Sequence, residues 1–590
     1  MQNSETKICQ NCKELFTIEP DDFSFYEKLN VPPPTFCPDC RQQRRLAWRN
    51  DIILSSRNCT LCNKPIVSIY APDSGMTAYC QKCWWGDGWE PKEYRQDYDP
   101  SKSFFEQFIE LQRRVPALTM VNDNEIRSIN SEYTHDFSLG KNCYMTFVAW
   151  KLEDCLYNYY AINCKEVVDA LYSMGDCELT YETVYTEKCY GCKYVYYSGL
   201  LSNCSFVYDC RDCTDCFMCV GLRHKRYCFK NKQYTKEEYE KILEEYRLDT
   251  YSGVERAKEE FKSIYYSSPR RFASLRNCVN CTGDGLTNSK NSKFCFNVQR
   301  LENDKWVENS DGPIDSYDLS TGGESSFCYE GITTDNSYHV RFAIFTWKSS
   351  EVDYADGCHS SKYLFGCCGL KKAEYCILNK QYTKEKYEKL RTRIIEDMNA
   401  RPYVDKKGNE YKYGEFFPAE LSYFRYNESA AQDYFPLKKD EVKERGWQWQ
   451  DHFQMTTGKE TMKMEDIPES INDTPDSITN AVLACVECGR NYKIVPAELK
   501  FYRKVKIPLP RHCFYCRHRA RFALSNLHKL WHRNCMCNSQ MTNSIEQMAY
   551  RNTAEHPHGN GACPNEFETS YAPYRPEIVY CEQCYQAEVV

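Results

Sequence analysis

Cysteine pairs at both ends of this 590-residue chain have the spacing of metal ligands. Near the N-terminus, Cys9-x2-Cys12 is followed after 24 residues by Cys37-x2-Cys40. Near the C-terminus, Cys485-x2-Cys488 is followed, again after 24 residues, by Cys513-x2-Cys516. Zn²⁺ favours four thiolate or imidazole ligands in a tetrahedron, and two Cys-x2-Cys turns supply four thiolates. The spacing therefore predicts one zinc site in each terminal region.

A second set of cysteines follows each first set. In the N-terminal region it is Cys59-x2-Cys62 with Cys80-x2-Cys83, and in the C-terminal region it ends with Cys581-x2-Cys584. Cys62 lies eighteen residues before Cys80, and Cys563 lies eighteen residues before Cys581. Cys563 thus takes the place of Cys62. About four zinc ions per chain are expected.

An insertion separates Cys563 from the remaining ligand of its site. That ligand is either Cys535 or Cys537, and the "RNC" that precedes both Cys59 and Cys535 favours Cys535. His556 and His558 in the insertion could compete as ligands, but we interpret them as surface residues.

Positive charge is concentrated beside these sites, although the formal net charge of the chain is −7. Ten Lys or Arg residues and no Asp or Glu occur from Lys500 to Arg533. A zinc ion with four thiolates has a formal charge of −2, and the run is longer than its neutralisation requires. A long basic helix starting at Cys513 would suit phosphate contacts. The candidate nucleic-acid-binding residues are Arg41, Arg44, Arg45, Arg49, Arg517, Arg519, Arg521, Lys529 and Arg533.

Each first cysteine set, with its surroundings, resembles a zinc-ribbon domain of the treble-clef type found in many bacterial proteins. "FTIEPDDFSFYEKLNVPPPTFCPDC" at 16–40 corresponds to "YKIVPAELKFYRKVKIPLPRHCFYC" at 492–516, although Phe514 replaces the proline of the usual Cys-Pro-x-Cys-Arg pattern. This resemblance implies a fold and a metal rather than a reaction. The whole chain resembles uncharacterised Cys-rich proteins of ultra-small uncultivated bacteria that have zinc ribbons at both ends, and this implies no activity.

The middle of the chain is an internal duplication rich in Cys and Tyr. "NKQYTKEEYEKI" at 231–242 recurs as "NKQYTKEKYEKL" at 379–390, and each phrase predicts the start of a helix. Cysteines spaced nine residues apart precede each phrase, and corresponding cysteines of the two sets are offset by 148 residues: Cys210, Cys219 and Cys228, then Cys358, Cys367 and Cys376.

Short strand-like segments precede these helices and favour a β-solenoid. Cys155, Cys177, Cys204 and Cys228 recur at intervals of 22, 27 and 24 residues, and each interval would suit one coil of a parallel solenoid. Stacked antiparallel hairpins also fit these irregular intervals. A stack of buried thiols needs no metal. The dense run "CRDCTDCFMC" at 210–219 keeps a metal cluster open as an alternative.

These features predict a multidomain protein in which zinc-ribbon modules flank a mainly β, solenoid-like middle with helical caps. The expected parts are a paired zinc-ribbon module at 1–95, a first β-rich half with helices at 96–250 and a second at 251–453. A linker at 454–480 and a second paired zinc-ribbon module at 481–590 follow. The polar N-terminus lacks the apolar segment of a signal peptide, and no run of eighteen apolar residues could span a bilayer. We therefore expect a cytoplasmic protein, in which paired cysteines bind metal rather than form disulfides.

Three functions are compatible with the sequence. The favoured one is a non-enzymatic zinc-binding protein whose basic helices bind nucleic acid, with RNA favoured, and the alternative is a protein-interaction scaffold. A carbohydrate-active or other enzyme built on a β-solenoid is the third. The chain has no phosphate-binding glycine-rich loop, no H-E-x-x-H and no nucleophile elbow, so no catalytic residue is assigned.

Overall fold

The computed structural model describes residues 3–123, 126–537, 550, 552–559 and 561–589. The chain forms two compact units, and each unit combines two separate stretches of sequence. One unit consists of residues 1–121 and 275–454, and the other of residues 122–274 and 455–590. Each unit therefore contains one cysteine-rich terminal module and the half of the middle that lies further from it in sequence.

The unit that contains the N-terminal module is built on an eleven-stranded sheet, here called the second array. Its strands follow one another in sequence order, and all pair in parallel except the last. From Gly283 onward each residue pairs with the residue twelve positions later, as Tyr317 does with Tyr329. The strands are Leu275–Arg276, Gly283–Thr287, Cys295–Gln299, Glu308–Asp311, Tyr317–Gly323, Tyr329–Asp335, Tyr338–Trp347, Ser350–Asp356, Lys362–Cys368, Glu374–Ile377 and Lys380–Gln381.

Short hairpins and helices complete this unit. Two antiparallel hairpins belong to the N-terminal module, and a parallel strand pair follows them. The strand pairs are Glu5–Ile8 with Leu15–Ile18, Ser55–Asn58 with Pro65–Ser68, Ala78–Tyr79 with Ala117–Leu118, and Tyr403–Val404 with Glu410–Tyr411. The α-helices are Pro20–Lys28, Pro38–Leu46, Gln81–Trp85, Phe104–Arg114, Lys384–Ala400, Ala431–Tyr434 and Lys439–Glu444, and the 3₁₀ helices are Pro91–Tyr94, Ala419–Leu421 and Tyr426–Glu428.

The other unit is built on a nine-stranded sheet, here called the first array. Its register is also twelve residues, except for one step of thirteen, where Leu171 pairs with Val184. The last strand again turns back antiparallel. The strands are His135–Ser138, Phe147–Glu153, Tyr159–Met174, Glu178–Tyr190, Lys193–Ser202, Ser205–Tyr208, Arg211–Val220, Arg226–Phe229 and Lys232–Gln233.

The C-terminal module in this unit repeats the hairpin and helix order of the N-terminal module. A parallel pair between Val579–Tyr580 and Arg270–Arg271 stands where Ala78–Tyr79 pairs with Ala117–Leu118 in the other unit. The hairpins are Leu483–Ala484 with Asn491–Tyr492, and Trp531–Asn534 with Glu566–Thr569. The α-helices are Lys236–Tyr246, Tyr251–Tyr266, Pro496–Val505, Phe514–Phe522 and Glu582–Val589, and the 3₁₀ helices are Met464–Asp466, Ile471–Asp473 and Asp476–Asn480.

The backbone of both arrays turns at short, regular intervals. Positive φ angles recur at every third residue over long stretches, for example at Asn142, Met145, Val148 and Lys151. The left-handed region is unfavourable for residues with a Cβ atom, particularly for β-branched ones such as Val148. The parallel hydrogen bonds and the packing of like positions must therefore outweigh this cost at each step.

Cysteines form much of the interior of the first array. Cys192, Cys204, Cys216 and Cys228 follow one another at twelve residues, the register of the sheet, and all four are buried. The interval of 24 residues between Cys204 and Cys228 that was noted in the sequence is two of these steps. The interior of the second array has Ser at many such positions, where Ser337, Ser349 and Ser361 follow at twelve residues and each accepts a hydrogen bond from the backbone of the next step.

The coarse architecture matches the prediction, but one helix does not. The structure confirms a multidomain, mostly β protein that has large parallel sheets in the middle, helical elements, and cysteine clusters at both ends. The prediction of a long basic helix beyond Cys513 is wrong, because the helix ends at Phe522 and the chain enters the strand Trp531–Asn534. The segment expected to be a linker contains three 3₁₀ helices and buries Ile467, Ile471 and Ile478.

Candidate metal centres

The four thiols Cys9, Cys12, Cys37 and Cys40 converge at the start of the N-terminal module. Cys9 and Cys12 lie in the turn of the first hairpin, and Cys37 is the N-cap of the helix Pro38–Leu46, so Cys40 lies in its first turn. A hairpin turn and a helix N-terminus thus each supply two ligands. The positive end of the helix dipole also favours thiolate there.

The second and third groups repeat this construction. Cys59, Cys62, Cys80 and Cys83 form one group, and Cys80 is the N-cap of the helix Gln81–Trp85. The third group, at the start of the C-terminal module, consists of Cys485, Cys488, Cys513 and Cys516, and Cys513 is the N-cap of the helix Phe514–Phe522.

Sulfur–sulfur distances in these groups fit one tetrahedral ion. Two thiolates bound at 2.3 Å to the same tetrahedral Zn²⁺ lie about 3.8 Å apart, whereas a disulfide joins its sulfurs at about 2.05 Å. The Cys12–Cys37 distance is 3.6 Å, the Cys62–Cys80 distance is 3.9 Å and the Cys488–Cys513 distance is 3.7 Å. All 37 cysteines are free thiols. These three groups of four cysteines can therefore each hold a metal ion.

Backbone N–H groups favour the thiolate form of Cys9 and Cys59. The backbone N–H of Cys37 donates to Cys9 Sγ at 3.3 Å, and that of Cys80 donates to Cys59 Sγ at 3.3 Å. Burial raises the pKa of Cys59, but hydrogen bonds from the backbone of Cys62 and Cys80 outweigh this effect and lower the pKa to about 7. Deprotonated sulfur is the form that binds metal, so these contacts prepare the site.

The fourth group contains five cysteines rather than four. The ligand atoms of Cys535, Cys537, Cys563 and Cys584 lie within 4.8 Å of one another, and Cys581 Sγ is 3.9 Å from Cys563 Sγ. The sequence left open whether Cys535 or Cys537 belongs to this site, and the structure brings both to it. Cys535 is the counterpart of Cys59, because Cys581 N–H donates to its Sγ at 3.2 Å as Cys80 N–H does to Cys59.

The arginines predicted to contact phosphate in the N-terminal module are buried against the second array, in ion pairs or hydrogen bonds. Arg41 and Arg45 both contact the carboxylate of Asp318, at 2.9 and 2.8 Å. Arg44 lies 2.6 Å from Glu330. Arg49 is also buried and donates to Thr333 Oγ1 at 2.5 Å. The structure therefore places these four guanidinium groups against the protein's own acceptors and not at its surface.

The helix Phe514–Phe522 of the C-terminal module is attached to the first array in the same way. Arg517 and Arg521 both contact the carboxylate of Asp169, each at 2.8 Å, and all three side chains are at most 5% exposed. Arg517 and Arg521 follow Cys516 at the same distances as Arg41 and Arg45 follow Cys40. Each module therefore holds one array carboxylate between two arginines one helical turn apart.

The three remaining candidate basic residues lie outside this ion-pair site. The side chain of Arg519 is 61% exposed, contacts Glu487 at 3.0 Å and donates to Cys516 Sγ at 3.3 Å. Lys529 is exposed. Arg533 is half-buried and donates to the carbonyl of Tyr571. The structure thus does not assemble the nine candidates into one basic surface.

The sequence patterns did not identify the carboxylates that these arginines contact. Asp318 and Glu330 are twelve residues apart and therefore neighbours in the second array, whose register was not recognised. Asp169 likewise has no local motif. The only signal that could have revealed these residues is the twelve-residue repeat itself.

Thiols in the interior of both arrays are hydrogen-bond donors. Cys204 Sγ donates to the carbonyls of Ser202 and Cys213 at 3.4 and 3.5 Å, and Cys367 Sγ donates to those of Phe365 and Cys376 at 3.6 and 3.4 Å. Burial raises the pKa of Cys367 well above its usual range, so this thiol keeps its proton. Within the part of the chain that the structure describes, the groups close enough to share one ion all lie in the terminal modules.

No protein-family model matches the chain, and no curated protein is significantly similar to it. Function must therefore be inferred from the sites themselves. Across the described residues, no helix combines the length and apolar character needed to cross a bilayer.

Proposed function

We propose that this chain is a non-enzymatic zinc-binding scaffold, in which each zinc site fixes a short arginine helix against the array of its own unit. The observation that carries this proposal is the pair of arginines on one buried carboxylate, present in both units. A buried ion pair requires accurate placement of its donors. A metal site next to Arg41 and Arg517 in sequence would supply that placement.

Zinc is the proposed metal because of the donor set. Four soft thiolates in a tetrahedron suit Zn²⁺ or an iron site, and structural zinc sites contribute directly to folding free energy. We expect protein purified without added metal to contain about four or more zinc ions per chain and no stoichiometric iron. A zinc content of two or fewer would contradict the proposal.

Zinc removal tests the proposed placement of the helices. Chelation should abolish hydrogen-exchange protection in Pro38–Leu46 and Phe514–Phe522 and reduce it in the array strands that carry Asp318 and Asp169. Array strands distant from these carboxylates serve as the internal reference. Unchanged protection of both helices in metal-free protein would show that zinc does not position them.

A protein is the partner class that we propose for the scaffold. Large apolar side chains remain exposed on the arrays, among them Tyr190 and Leu200 of the first array, 51% and 49% exposed, and Phe294 and Tyr338 of the second, 42% and 48% exposed. Such side chains are usual components of protein-binding surfaces.

Nucleic-acid binding is the second candidate function, and the exposure of Arg519 and Lys529 is the observation that favours it. If both side chains contact phosphate, the combined change Arg519→Gln and Lys529→Gln should make the slope of log affinity against log salt concentration less steep by about 1.4 to 1.8. Lys141→Gln, which removes an exposed lysine of the first array, is the matched control. No RNA binding by the zinc-loaded full-length chain at low salt would eliminate this candidate in favour of the protein scaffold.

We also propose that each array is wound as a solenoid with twelve residues per coil. The twelve-residue parallel register and the positive φ angle at every third residue support this winding. Deleting residues 289–300 should then remove one coil and leave the second array folded, whereas deleting residues 289–294 should disrupt its register. Equal damage from both deletions would contradict the solenoid.

A further inference from the structure

The last metal group has more donors than one tetrahedral ion can use. Cys535, Cys563, Cys581 and Cys584 correspond to the four ligands of the second N-terminal group, and the Cys563–Cys581 and Cys62–Cys80 distances are both 3.9 Å. Cys537, His556 and His558 have no counterparts in that group. They are extra donors, and two of them come from the insertion that separates Cys535 from Cys563.

These extra donors form a second tetrad with Cys584. The ligand atoms of Cys537, His556, His558 and Cys584 all lie within 4.8 Å of one another. Cys537 Sγ is 3.3 Å from His558 Nε2. A sulfur and a nitrogen bound to the same tetrahedral Zn²⁺, at 2.3 and about 2.05 Å, lie about 3.5 Å apart. The spacing thus fits a shared ion.

His556 is held and oriented as a metal-binding histidine usually is. Glu588 Oε1 lies 2.9 Å from His556 Nε2, and both side chains are at most 2% exposed. A carboxylate that accepts from one ring nitrogen leaves the other nitrogen with a lone pair for a metal. Among the described residues, the buried Nδ1 atom of His556 has no hydrogen-bond partner, which is unusual for a buried polar atom.

The number of donors matches two ions. Two tetrahedral ions that share one bridging ligand require seven donors, and five cysteines with two histidines supply seven. Cys537 and Cys584 belong to both groups whose ligand atoms lie within 4.8 Å of one another. Because Cys581 corresponds to Cys80 and lies 3.9 Å from Cys563, we assign Cys581 rather than Cys537 to the first ion, which leaves Cys584 as the bridge. Charge favours the same arrangement, because five thiolates around one Zn²⁺ have a formal charge of −3, whereas with two Zn²⁺ the formal charge is −1.

We propose that the C-terminal module contains a binuclear zinc site, with one ion on Cys535, Cys563, Cys581 and Cys584 and the second on Cys537, His556, His558 and the same Cys584. This proposal rests on the proposed zinc-binding function and extends it. The chain would then bind about five zinc ions rather than four.

Zinc content of full-length variants tests the second ion. His558→Ala should reduce the count from about five to about four, and His558→Cys should restore it because thiolate replaces imidazole as a ligand. His532→Ala is the matched control, since His532 lies in the same module with its side chain 60% exposed and paired with Glu566 and Glu568. This control should keep about five.

Cobalt substitution provides a readout that does not depend on zinc content. Charge-transfer and ligand-field bands of Co²⁺ distinguish a four-thiolate site from a site with two imidazoles. The mixed spectrum should be present in wild type, absent in His558→Ala and unaffected by His532→Ala. A wild-type content of about four zinc ions, unchanged in His558→Ala, would overturn the binuclear site and leave the proposed function intact. A wild-type content of two or fewer would instead contradict the zinc-binding function itself.

Discussion

Asp169→Asn tests whether the arginine helix of the C-terminal module is attached to the first array by charge. The substitution preserves the size of the side chain but leaves the guanidinium groups of Arg517 and Arg521, both at most 5% exposed, without their shared carboxylate. Removing one partner of a buried ion pair costs about 3–5 kcal/mol. Among the described residues, the carboxylates that remain are more distant, with Glu498 at 3.5 Å from Arg517 and Glu182 at 3.4 Å from Arg521, so we expect a penalty in this range.

Native-state hydrogen exchange measures this loss locally. At about 1.4 kcal/mol per factor of ten, protection in the helix Phe514–Phe522 and in the strand Tyr159–Met174 should fall by about two to four orders of magnitude. Glu153→Gln is the control, because it removes an exposed ion pair with Lys141 from the same array and should leave protection nearly unchanged.

A second variant distinguishes the loss of the buried ion pair from a general loss of stability. Replacing Asp169, Arg517 and Arg521 together with apolar residues of similar volume, and Glu498 with Gln, should recover much of the protection. Glu498 is included because it is buried and would otherwise lose its partner Arg517. The reasoning would be refuted if Asp169→Asn lost no more protection than Glu153→Gln. It would also be refuted if the fourfold variant were less protected than Asp169→Asn.

Two further predictions concern the cysteines. Cys563→Ser should release at least one zinc ion and unfold the end of the C-terminal module, as measured by zinc content and by exchange in Glu582–Val589, and retention of all zinc would contradict its role as a ligand. Cys219→Ala and Cys367→Ala should each keep full zinc content and lower the free energy of unfolding by about 1–2 kcal/mol, because each truncates a buried thiol. Loss of metal from either variant would instead assign metal to the arrays, and Cys281→Ala, at a partly exposed position, should cost less.

Local spacing predicted the metal groups because a metal site is built from turns and helix starts. The matched intervals around Cys12 and Cys488 were sufficient to find two complete groups, and the Cys-x2-Cys pairs at Cys59 and Cys80 gave a third. Counting back from Cys581 found Cys563. The interpretation of His556 as a surface residue is wrong, because His556 is buried. Nothing in the local sequence indicates that Glu588 contacts His556 from a helix 32 residues away.

The local sequence pattern could not predict which groups the basic residues contact. Arg41 and Asp318 are 277 residues apart, and an acid-free helix has the same sequence whether its arginines meet phosphate or a buried carboxylate. The register of the arrays was missed for a different reason. Cysteine occupies only some of the equivalent positions, with Ser at others, so the intervals between cysteines gave about twice the true repeat.

The division of each unit between distant stretches of sequence has a consequence for biosynthesis. Arg41 and Arg45 leave the ribosome 277 and 273 residues before Asp318, which at about 5–20 residues per second is a delay of roughly 14 to 55 seconds. The first array, which ends at Gln233, leaves the ribosome within that interval and before the second array, which begins at Leu275. The cationic helix of the nascent N-terminal module is therefore without Asp318 at a time when Asp169, the carboxylate that the equivalent arginines contact in the other unit, has already emerged. Chaperones or the ribosomal surface would have to accommodate that exposed charge until translation passes residue 330.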